Sequence, residues 1–348
     1  MKKAFSSSIN EKKGDITPES LYINRRQFIK SLGLIGFGAL LASCGTPPGF
    51  ISSGNPTAQN NGRSNSLVDE LGDPANRYED ITNYNNYFEF TSVKQDVAHL
   101  SKNFNPAKES GGTDFTLEVY GLVNHPKVFS LDDLLTRFQQ EERIYRLRCV
   151  EAWSMVIPWT GFSLAALLKE VDPLSKAKFV RFETIYAPSQ MPGLKNRSFP
   201  WPYQEGLRID EAMHQLTILA TGLYGNPLPP QNGMPIRLVV PWKYGYKSIK
   251  AITKIELVAQ QTETFWTKVA PREYSFDANV NPYVDHPRWS QKTERRIGES
   301  QRRPTLLFNG YAEEVVSMYK GMEVFMKIPA ASSNKPNESP RLNYKDGK

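Results

Sequence analysis

The chain has 348 residues, of which 39% are hydrophobic, and this is enough to bury a substantial core in one large domain or two modest ones. The formal net charge is +7, but residues 1–44 alone carry seven Lys or Arg against three acidic residues. The rest of the chain has 36 basic and 33 acidic residues, so its charge gives no reason to expect nucleic acid as a partner.

Residues 1–44 have the layout of a signal peptide. The pair Arg25-Arg26, followed by Phe28 and Lys30, precedes the apolar run from Leu32 to Ala42. A membrane-spanning helix needs roughly 20 apolar residues, and this run is too short. The pattern resembles the twin-arginine motif, which directs the export of proteins that are already folded, whereas a plain secretory signal needs no arginine pair. We therefore predict a periplasmic protein that is exported with its cofactor in place.

The signal ends in Leu41-Ala42-Ser43-Cys44-Gly45, which resembles the lipobox of lipoproteins. Cleavage at that motif would make Cys44 the first mature residue and attach an acyl anchor to it. The alternative is an ordinary cleavage site with a chance cysteine, because motifs of four residues recur by accident. The sequence leaves both interpretations open.

The remaining chain divides by composition. Residues 45–80 are rich in Gly, Pro, Ser and Asn, which predicts a flexible tether. Aromatic residues become frequent from Tyr84 onward, and we predict one catalytic domain over residues 81–330, followed by a polar C-terminal tail over 331–348.

The pattern within the predicted domain is typical of an α+β fold. Alternating apolar and polar residues predict strands over 114–123, 143–150, 177–184, 236–242 and 252–259. Short helices are predicted after the capping residues Ser130 and Ser163, and over 209–214. These elements lack the regular alternation of a doubly wound α/β fold, and the chain contains no nucleotide-binding glycine motif and no histidine pair at metal spacing.

Cys149 is the one cysteine outside the predicted signal peptide. Because a single mature cysteine excludes an internal disulfide, Cys149 is a buried small hydrophobe, a reactive thiol or a metal ligand. Arg146 and Arg148 flank it, and their positive charge is expected to lower the pKa of the thiol and favour the thiolate. A nucleophilic cysteine needs a histidine base, and no protease-like signature surrounds any of the four histidines, His99, His125, His214 and His286.

Five sequence blocks, in this order, closely resemble the catalytic subunits of periplasmic protein-methionine-sulfoxide reductases, the MsrP family of molybdoenzymes. The blocks are residues 148–154, 182–188, 228–233, 240–245 and 281–290. The resemblance covers most of residues 80–320. It implies a sulfite-oxidase-type fold that holds one molybdenum with a single molybdopterin, with Cys149 as the protein ligand to the metal. A soft thiolate suits such a site, and the flanking arginines are expected to stabilise both the thiolate and the pterin phosphate.

The resemblance also assigns the other site residues. The implied cofactor contacts are Asn85, Phe88, Glu89, Thr184, Asn232, Arg237, Ser248, Ile249 and Lys250. Taken alone, Asn232 could be a turn residue, and Arg237 and Lys250 could be solvated strand charges. Glu151 is predicted to handle protons or to orient the metal ligand, and an ion pair with Arg146 or Arg148 is the alternative.

The implied reaction is removal of the oxygen atom from methionine sulfoxide in oxidised periplasmic proteins, which restores an apolar side chain. The chain has no CxxCH motif and no flavin fingerprint, so electrons must come from another protein, which the resemblance identifies as a membrane haem b protein. Two alternatives are a sulfite-oxidase-like dehydrogenase and a non-catalytic exported binding lipoprotein. The loop over 194–201 is expected to border the substrate entrance.

Overall fold

The computed structural model describes residues 67–110 and 114–322. The predicted signal peptide, with Cys44, and the predicted tail over 331–348 lie outside the described residues. Within the described ranges, no helix is long and apolar enough to cross a membrane.

Strands carry most of the regular structure in the described part of the chain. They are β1 (Thr116–Gly121), β2 (Lys127–Ser130), β3 (Glu141–Cys149), β4 (Trp153–Ser163), β5 (Phe179–Thr184), β6 (Gln204–Arg208), β7 (Ile218–Leu223), β8 (Asn226–Pro227), β9 (Arg237–Val239), β10 (Ile252–Val258), β11 (Thr293–Arg296) and β12 (Arg302–Pro304). The α-helices are short: α1 (Tyr78–Thr82), α2 (Val97–Ser101), α3 (Leu131–Thr136), α4 (Leu164–Val171), α5 (Ile209–Ala212), α6 (Phe265–Val269) and α7 (Ala312–Val315).

The strands form two mixed sheets. The first has five strands in the order β2-β1-β10-β5-β6, with β1 and β10 parallel. The second has seven strands: β12-β11-β4-β7-β8 form its path, β3 pairs with β4, and β9 pairs with β7. In this sheet β11 and β4 are parallel, whereas β3 and β4 are antiparallel along their length. Largely antiparallel sheets with short helices confirm the α+β prediction.

Several local predictions are confirmed. The Ser130 hydroxyl accepts the backbone N–H of Asp133, whose carboxylate accepts the N–H of Ser130, so α3 begins with the predicted capping box. Ser163 precedes α4 as predicted, although its side chain makes no capping hydrogen bond. The strand predicted over 236–242 is shorter, because it ends before Pro241, which has no N–H to donate to a neighbouring strand.

Helix α4 shows how the second sheet is supported. Its buried residues Leu164, Leu167, Leu168 and Val171 follow the i, i+3, i+4, i+7 spacing of one helical face. This face packs against β4 and β7. Strand β3 pairs with β4 along its length and ends at Cys149. By packing against β4, the helix therefore supports the strand pair that carries Cys149.

Residues 67–80, which the sequence places in the flexible tether, pack against the domain. Asp69 is buried, and its carboxylate lies 2.8 Å from Nη1 of Arg146 on β3. The side chain of Asn76 accepts the N–H of Val156 on β4 at 2.8 Å. The domain therefore begins before the predicted boundary at residue 81. The polar, glycine-containing composition of this segment predicted a tether, but composition does not show which side chains contact distant strands.

Candidate active site

Cys149 is the last residue of β3, and the chain turns directly after it into β4. Ala152 in this turn has a positive φ of 63°, and its N–H donates to the Cys149 carbonyl at 3.0 Å. The thiol is buried at 7% exposure. Its Sγ accepts the backbone N–H of Glu151 at 3.4 Å and lies 3.6 Å from the amide nitrogen of Asn86. Two donors therefore fix the position of the sulfur.

Arg146 and Arg148 do not face this sulfur, because successive side chains of a strand point to opposite sides. Arg146 lies 2.8 Å from Asp69, and Arg148 lies 2.8 Å from Glu294. The expected placement of both arginines at the sulfur is therefore wrong: carboxylates on the far side of β3 pair with both cations, although the charge of Arg148 still favours the thiolate.

The expected lowering of the Cys149 pKa is also wrong for the protein alone. Burial raises the pKa of the thiol to about 12, and the nearby Glu151 carboxylate adds to the rise. A backbone hydrogen bond from Glu151 and the charge of Arg148 oppose this rise only in part. A metal cation on the sulfur would supply the stabilisation that the thiolate lacks.

Glu151 forms its ion pair with Lys94, and not with either arginine. Its carboxylate lies 2.9 Å from Nζ of Lys94 and accepts the indole N–H of Trp153 at 3.1 Å. Burial alone would raise the pKa of Glu151, but the hydrogen bonds from Lys94 and Trp153 outweigh it and lower the pKa. The carboxylate next to Cys149 is therefore ionised at neutral pH and keeps contact with solvent through its 33% exposed side chain.

Ten of the eleven predicted site residues line one cavity with Cys149. The cavity encloses about 960 Å³, including its open mouth. The ten are Asn85, Phe88, Glu89, Cys149, Glu151, Asn232, Arg237, Ser248, Ile249 and Lys250. Thr184 lies behind the wall, where its buried hydroxyl donates to the Lys250 carbonyl at 2.8 Å. Segments from both sheets and from the chain before β1 thus meet at one place.

Arg237 and Lys250 are the cations of this cavity, and neither forms an ion pair with a described residue. Arg237 is only 3% exposed and donates to the carbonyls of Asn232 and Ser248 at 3.1 and 2.9 Å. Lys250 is half-buried, and its Nζ donates to the Asn86 carbonyl at 2.6 Å. Burial lowers the pKa of Arg237 to about 10 and also lowers the pKa of Lys250. The alternative, that these two residues are solvated strand charges, does not hold, because both line the cavity.

Two comparisons decide the family. An oxidoreductase molybdopterin binding domain matches residues 104–266, a range that includes Cys149, Asn232 and Lys250. The protein-methionine-sulfoxide reductase catalytic subunit MsrP of Xanthomonas axonopodis pv. citri (strain 306) is 48% identical over 330 residues, covering 92% of this chain and 98% of that protein. This chain belongs to the MsrP family. The structure of the sulfane dehydrogenase SoxCD from Paracoccus pantotrophus, at 18% identity and a TM-score of 0.42, aligns with 68% of this chain and 65% of its own.

The cavity fits the molybdopterin that the domain of this MsrP family member binds. The cofactor carries an anionic phosphate, and neither Arg237 nor Lys250 forms an ion pair with a described residue, although the Glu89 carboxyl in the same cavity interacts with Lys250 at longer range. The side-chain amide oxygen of Asn232 (Oδ1) and the Tyr87 hydroxyl are buried without a hydrogen-bond partner there, which leaves two polar positions for a ligand. The Cys149 sulfur is a soft donor at the same cavity. Among the described residues, no cluster of three or more His, Cys, Asp or Glu offers a separate metal site.

Several residues that sequence reasoning did not assign belong to the same cavity. Asn86 contacts the Cys149 sulfur, and Lys94 holds Glu151, although Lys94 lies 57 positions before it in the sequence. Tyr203, Trp266 and Tyr274 add aromatic walls. Asn86 and Tyr87 lie between predicted contacts in the aromatic segment 84–90, so this segment could have identified them as cavity residues. No local pattern marks the others.

Proposed function

We propose that this protein is a molybdenum-dependent reductase with a sulfite-oxidase-type fold, which removes the oxygen atom from methionine sulfoxide in proteins outside the cytoplasmic membrane. The observation that carries the proposal is the joint placement of the Cys149 thiol with Arg237 and Lys250, neither of which forms an ion pair with a described residue, in one cavity. The relative at 48% identity is named as the catalytic subunit of a protein-methionine-sulfoxide reductase, which supports this activity.

In this proposal, Cys149 is the protein ligand to molybdenum, and Arg237 and Lys250 bind the anionic end of the pterin. Molybdenum supplies an acceptor for the sulfoxide oxygen and two electrons for the sulfur. The remaining predicted contacts, from Asn85 to Glu89 and from Ser248 to Lys250, hold the pterin in place. A bound metal cation would stabilise the Cys149 thiolate and so offset the high pKa that burial imposes on the thiol.

Glu151 is proposed to relay the protons that leave with the oxygen as water. Its ionised carboxylate is next to Cys149 and in contact with Lys94, a proton donor at 2.9 Å. The Glu151 side chain is 33% exposed, which gives protons from solvent access to its carboxylate. This arrangement can deliver protons to the oxygen that leaves the substrate without an open water channel.

The purified protein provides a direct test. Elemental analysis should give about one molybdenum per chain, together with the fluorescence of an oxidised pterin. With a reduced dye as electron donor, the enzyme should reduce methionine sulfoxide much faster than it oxidises sulfite with an electron acceptor. Absence of molybdenum and pterin would indicate a binding protein, and preferential sulfite oxidation would indicate a dehydrogenase.

We further propose that a partner subunit, a membrane haem b protein, supplies the electrons, and that the protein acts in the periplasm. The term catalytic subunit in the name of the MsrP relative supports the existence of a partner. The Arg25-Arg26 pair supports folded export, so changing both to Lys should leave the precursor in the cytoplasm. A lipid anchor on Cys44 is tested by fatty-acid labelling, which Cys44→Ala should abolish.

A further inference from the structure

A second, open pocket lies at the mouth of the Cys149 cavity. It is lined by Phe88, Glu151, Phe199, Trp266, Tyr274, Arg288 and Trp289. Phe88, Glu151, Trp266 and Tyr274 also line the cavity itself, so the two spaces are continuous. A molecule that approaches Cys149 through this opening passes between aromatic rings. We call Phe88, Phe199, Trp266, Tyr274 and Trp289 the aromatic mouth.

The rings of the aromatic mouth hold one another in place. Trp266 lies edge-on to Phe88 at 5.2 Å between ring centroids and stacks on Tyr274 at 4.8 Å. Trp289 stacks on His286 at 3.8 Å, and its indole N–H donates to the Val150 carbonyl at 2.7 Å. Aromatic side chains that are already fixed lose little conformational entropy when a partner binds.

The loop that carries Phe199 is attached to the cavity wall. The N–H of Gly193 donates to the Glu89 carbonyl at 2.8 Å, and a Cβ at Gly193 would lie 2.0 Å from the Phe88 carbonyl oxygen. Only glycine permits this approach. Phe199 follows in the same loop and contacts Phe88, at 6.0 Å between centroids. The loop over 194–201, expected to border the substrate entrance, therefore does reach the mouth.

Five of the seven side chains that line the pocket at the aromatic mouth are aromatic, and the other two, Glu151 and Arg288, are charged. The charged groups at the rim already have partners, since Arg288 lies 2.6 Å from Glu273 and Glu151 lies 2.9 Å from Lys94. What remains available for recognition is hydrophobic contact, the usual basis of the centre of a protein interface.

We propose that the aromatic mouth binds the polypeptide on either side of an oxidised methionine, and that Phe199 and Trp289 confer a preference for apolar neighbours of that methionine. This inference rests on the proposed function and names the form of its substrate. The oxidised side chain extends inward toward Cys149, while flanking apolar side chains pack on the outer rings. The thioether product also makes favourable contacts with aromatic rings. A small sulfoxide has no flanking residues and gains nothing from Phe199 or Trp289.

The test uses the holoenzyme and two substrates. One is a short peptide with methionine sulfoxide between two leucines, and the other is dimethyl sulfoxide. The measured quantity is kcat/KM for the peptide divided by kcat/KM for dimethyl sulfoxide. Phe199→Ala and Trp289→Ala should each lower this ratio about tenfold and weaken the calorimetric Kd of the peptide to a similar degree. Trp289→Phe, which retains an apolar ring, should recover part of the loss.

Tyr186→Ala is the matched control, because Tyr186 is an aromatic residue at 52% exposure that lines neither pocket. The ratio should be unchanged in this variant. The wild-type enzyme should also have a higher kcat/KM for methionine sulfoxide between two leucines than for methionine sulfoxide between two aspartates. If Trp289→Ala does not fold, Phe199→Ala decides the question.

Ratios within about twofold of wild type in both alanine variants would overturn the proposal. So would an unchanged peptide Kd with slower reduction by the membrane electron donor, because the surface would then bind the donor. If wild type reduces neither sulfoxide but the peptide Kd still depends on Phe199 and Trp289, the proposed function fails and the binding site stands.

Discussion

Buried cations occur in two settings in this protein. In the scaffold they have carboxylate partners: Lys243 lies 2.6 Å from Glu211, and Lys247 lies 2.9 Å from Glu205. In the cavity, Arg237 and Lys250 contact carbonyl oxygens and aromatic rings, without an ion pair to a described residue. A buried charge without a partner is costly, and proteins retain it where a ligand supplies the opposite charge. The difference separates cations that hold the fold together from cations that bind a ligand.

The largest expected effect is on activity, on the ligand-binding side of this comparison. Cys149→Ser should lower the rate of sulfoxide reduction by several orders of magnitude, because an alkoxide is a harder and more basic donor to the metal than a thiolate. Pterin content should stay near the wild-type value, since other residues bind the pterin. Both are measured on the same preparation. Substantial turnover in this variant would return Cys149 to the class of inert core cysteines.

Breaking a scaffold pair should cost stability. Arg148→Met removes the partner of Glu294, which is 4% exposed, and we expect the free energy of unfolding to fall by about 3–5 kcal/mol. Urea unfolding at neutral pH measures it. Arg303→Met is the control: Arg303 pairs with Asp73 and Glu299 at a partly exposed position, where the loss should be under about 1 kcal/mol. Equal losses in the two variants would contradict the distinction.

Removing a cavity cation should weaken cofactor binding more than folding. Lys250→Met deletes a charged hydrogen-bond donor, which is worth about 1.5–3 kcal/mol and corresponds to roughly a tenfold to hundredfold loss of cofactor affinity. Pterin retained after extensive dialysis measures this loss. The cofactor-free protein should lose no stability, and a loss as large as that of Arg148→Met would place Lys250 with the scaffold cations.

The same side chain gives a pH signature. Burial lowers the pKa of Lys250, whereas in the unfolded chain lysine keeps its ordinary pKa of about 10.4. Between these two values the unfolded chain binds more protons, so this residue makes the cofactor-free protein more stable as pH rises from near neutral toward about 10. Lys250→Met should therefore be the more stable of the two near neutral pH, where wild type must bury a charge, and the unfolding curves should converge as pH rises toward about 10.

The smallest effect concerns a neutral member of the scaffold. The Tyr319 hydroxyl donates to Glu211 at 2.7 Å and accepts the Trp242 indole N–H at 2.8 Å. Tyr319→Phe leaves the Lys243–Glu211 pair intact, so we expect a loss of about 1 kcal/mol, measured by thermal unfolding. A loss comparable to that of Arg148→Met would show that the Tyr319 hydroxyl contributes more than Lys243 to stabilising the buried Glu211 carboxylate.

Local sequence patterns predicted strands where side chains alternate and helices where caps precede them. Strand β3 is an example, since Arg143 to Cys149 alternates basic and apolar residues. Strand β4 was missed, because nearly every residue from Trp153 to Ser163 is buried and no alternation is visible. The alternation in β3 also implies that the side chains of Arg148 and Cys149 point to opposite faces of the sheet. Their proximity in sequence alone suggested that both arginines lie beside the thiolate.

The site was predicted through resemblance and not through local physics. Glu89, Asn232 and Lys250 are far apart in the chain, and only the closed fold brings them to one cavity. The ion pair of Lys94 with Glu151 could not be predicted from the sequence either, because charge alone does not distinguish Lys94 from the other cations of the chain. Distances of this kind depend on sheet topology, which a pattern of residue types does not specify.

The spread of the cavity along the chain has a consequence for biogenesis. Its walls run from Ile81 to Tyr274, and β1 pairs in parallel with β10, which is more than 130 positions away, so the pocket closes only after long-range contacts have formed. A nascent chain that stops before Lys250 lacks both that residue and strand β10, which pairs with the strand that carries Thr184. Cofactor loading must therefore follow synthesis of most of the chain.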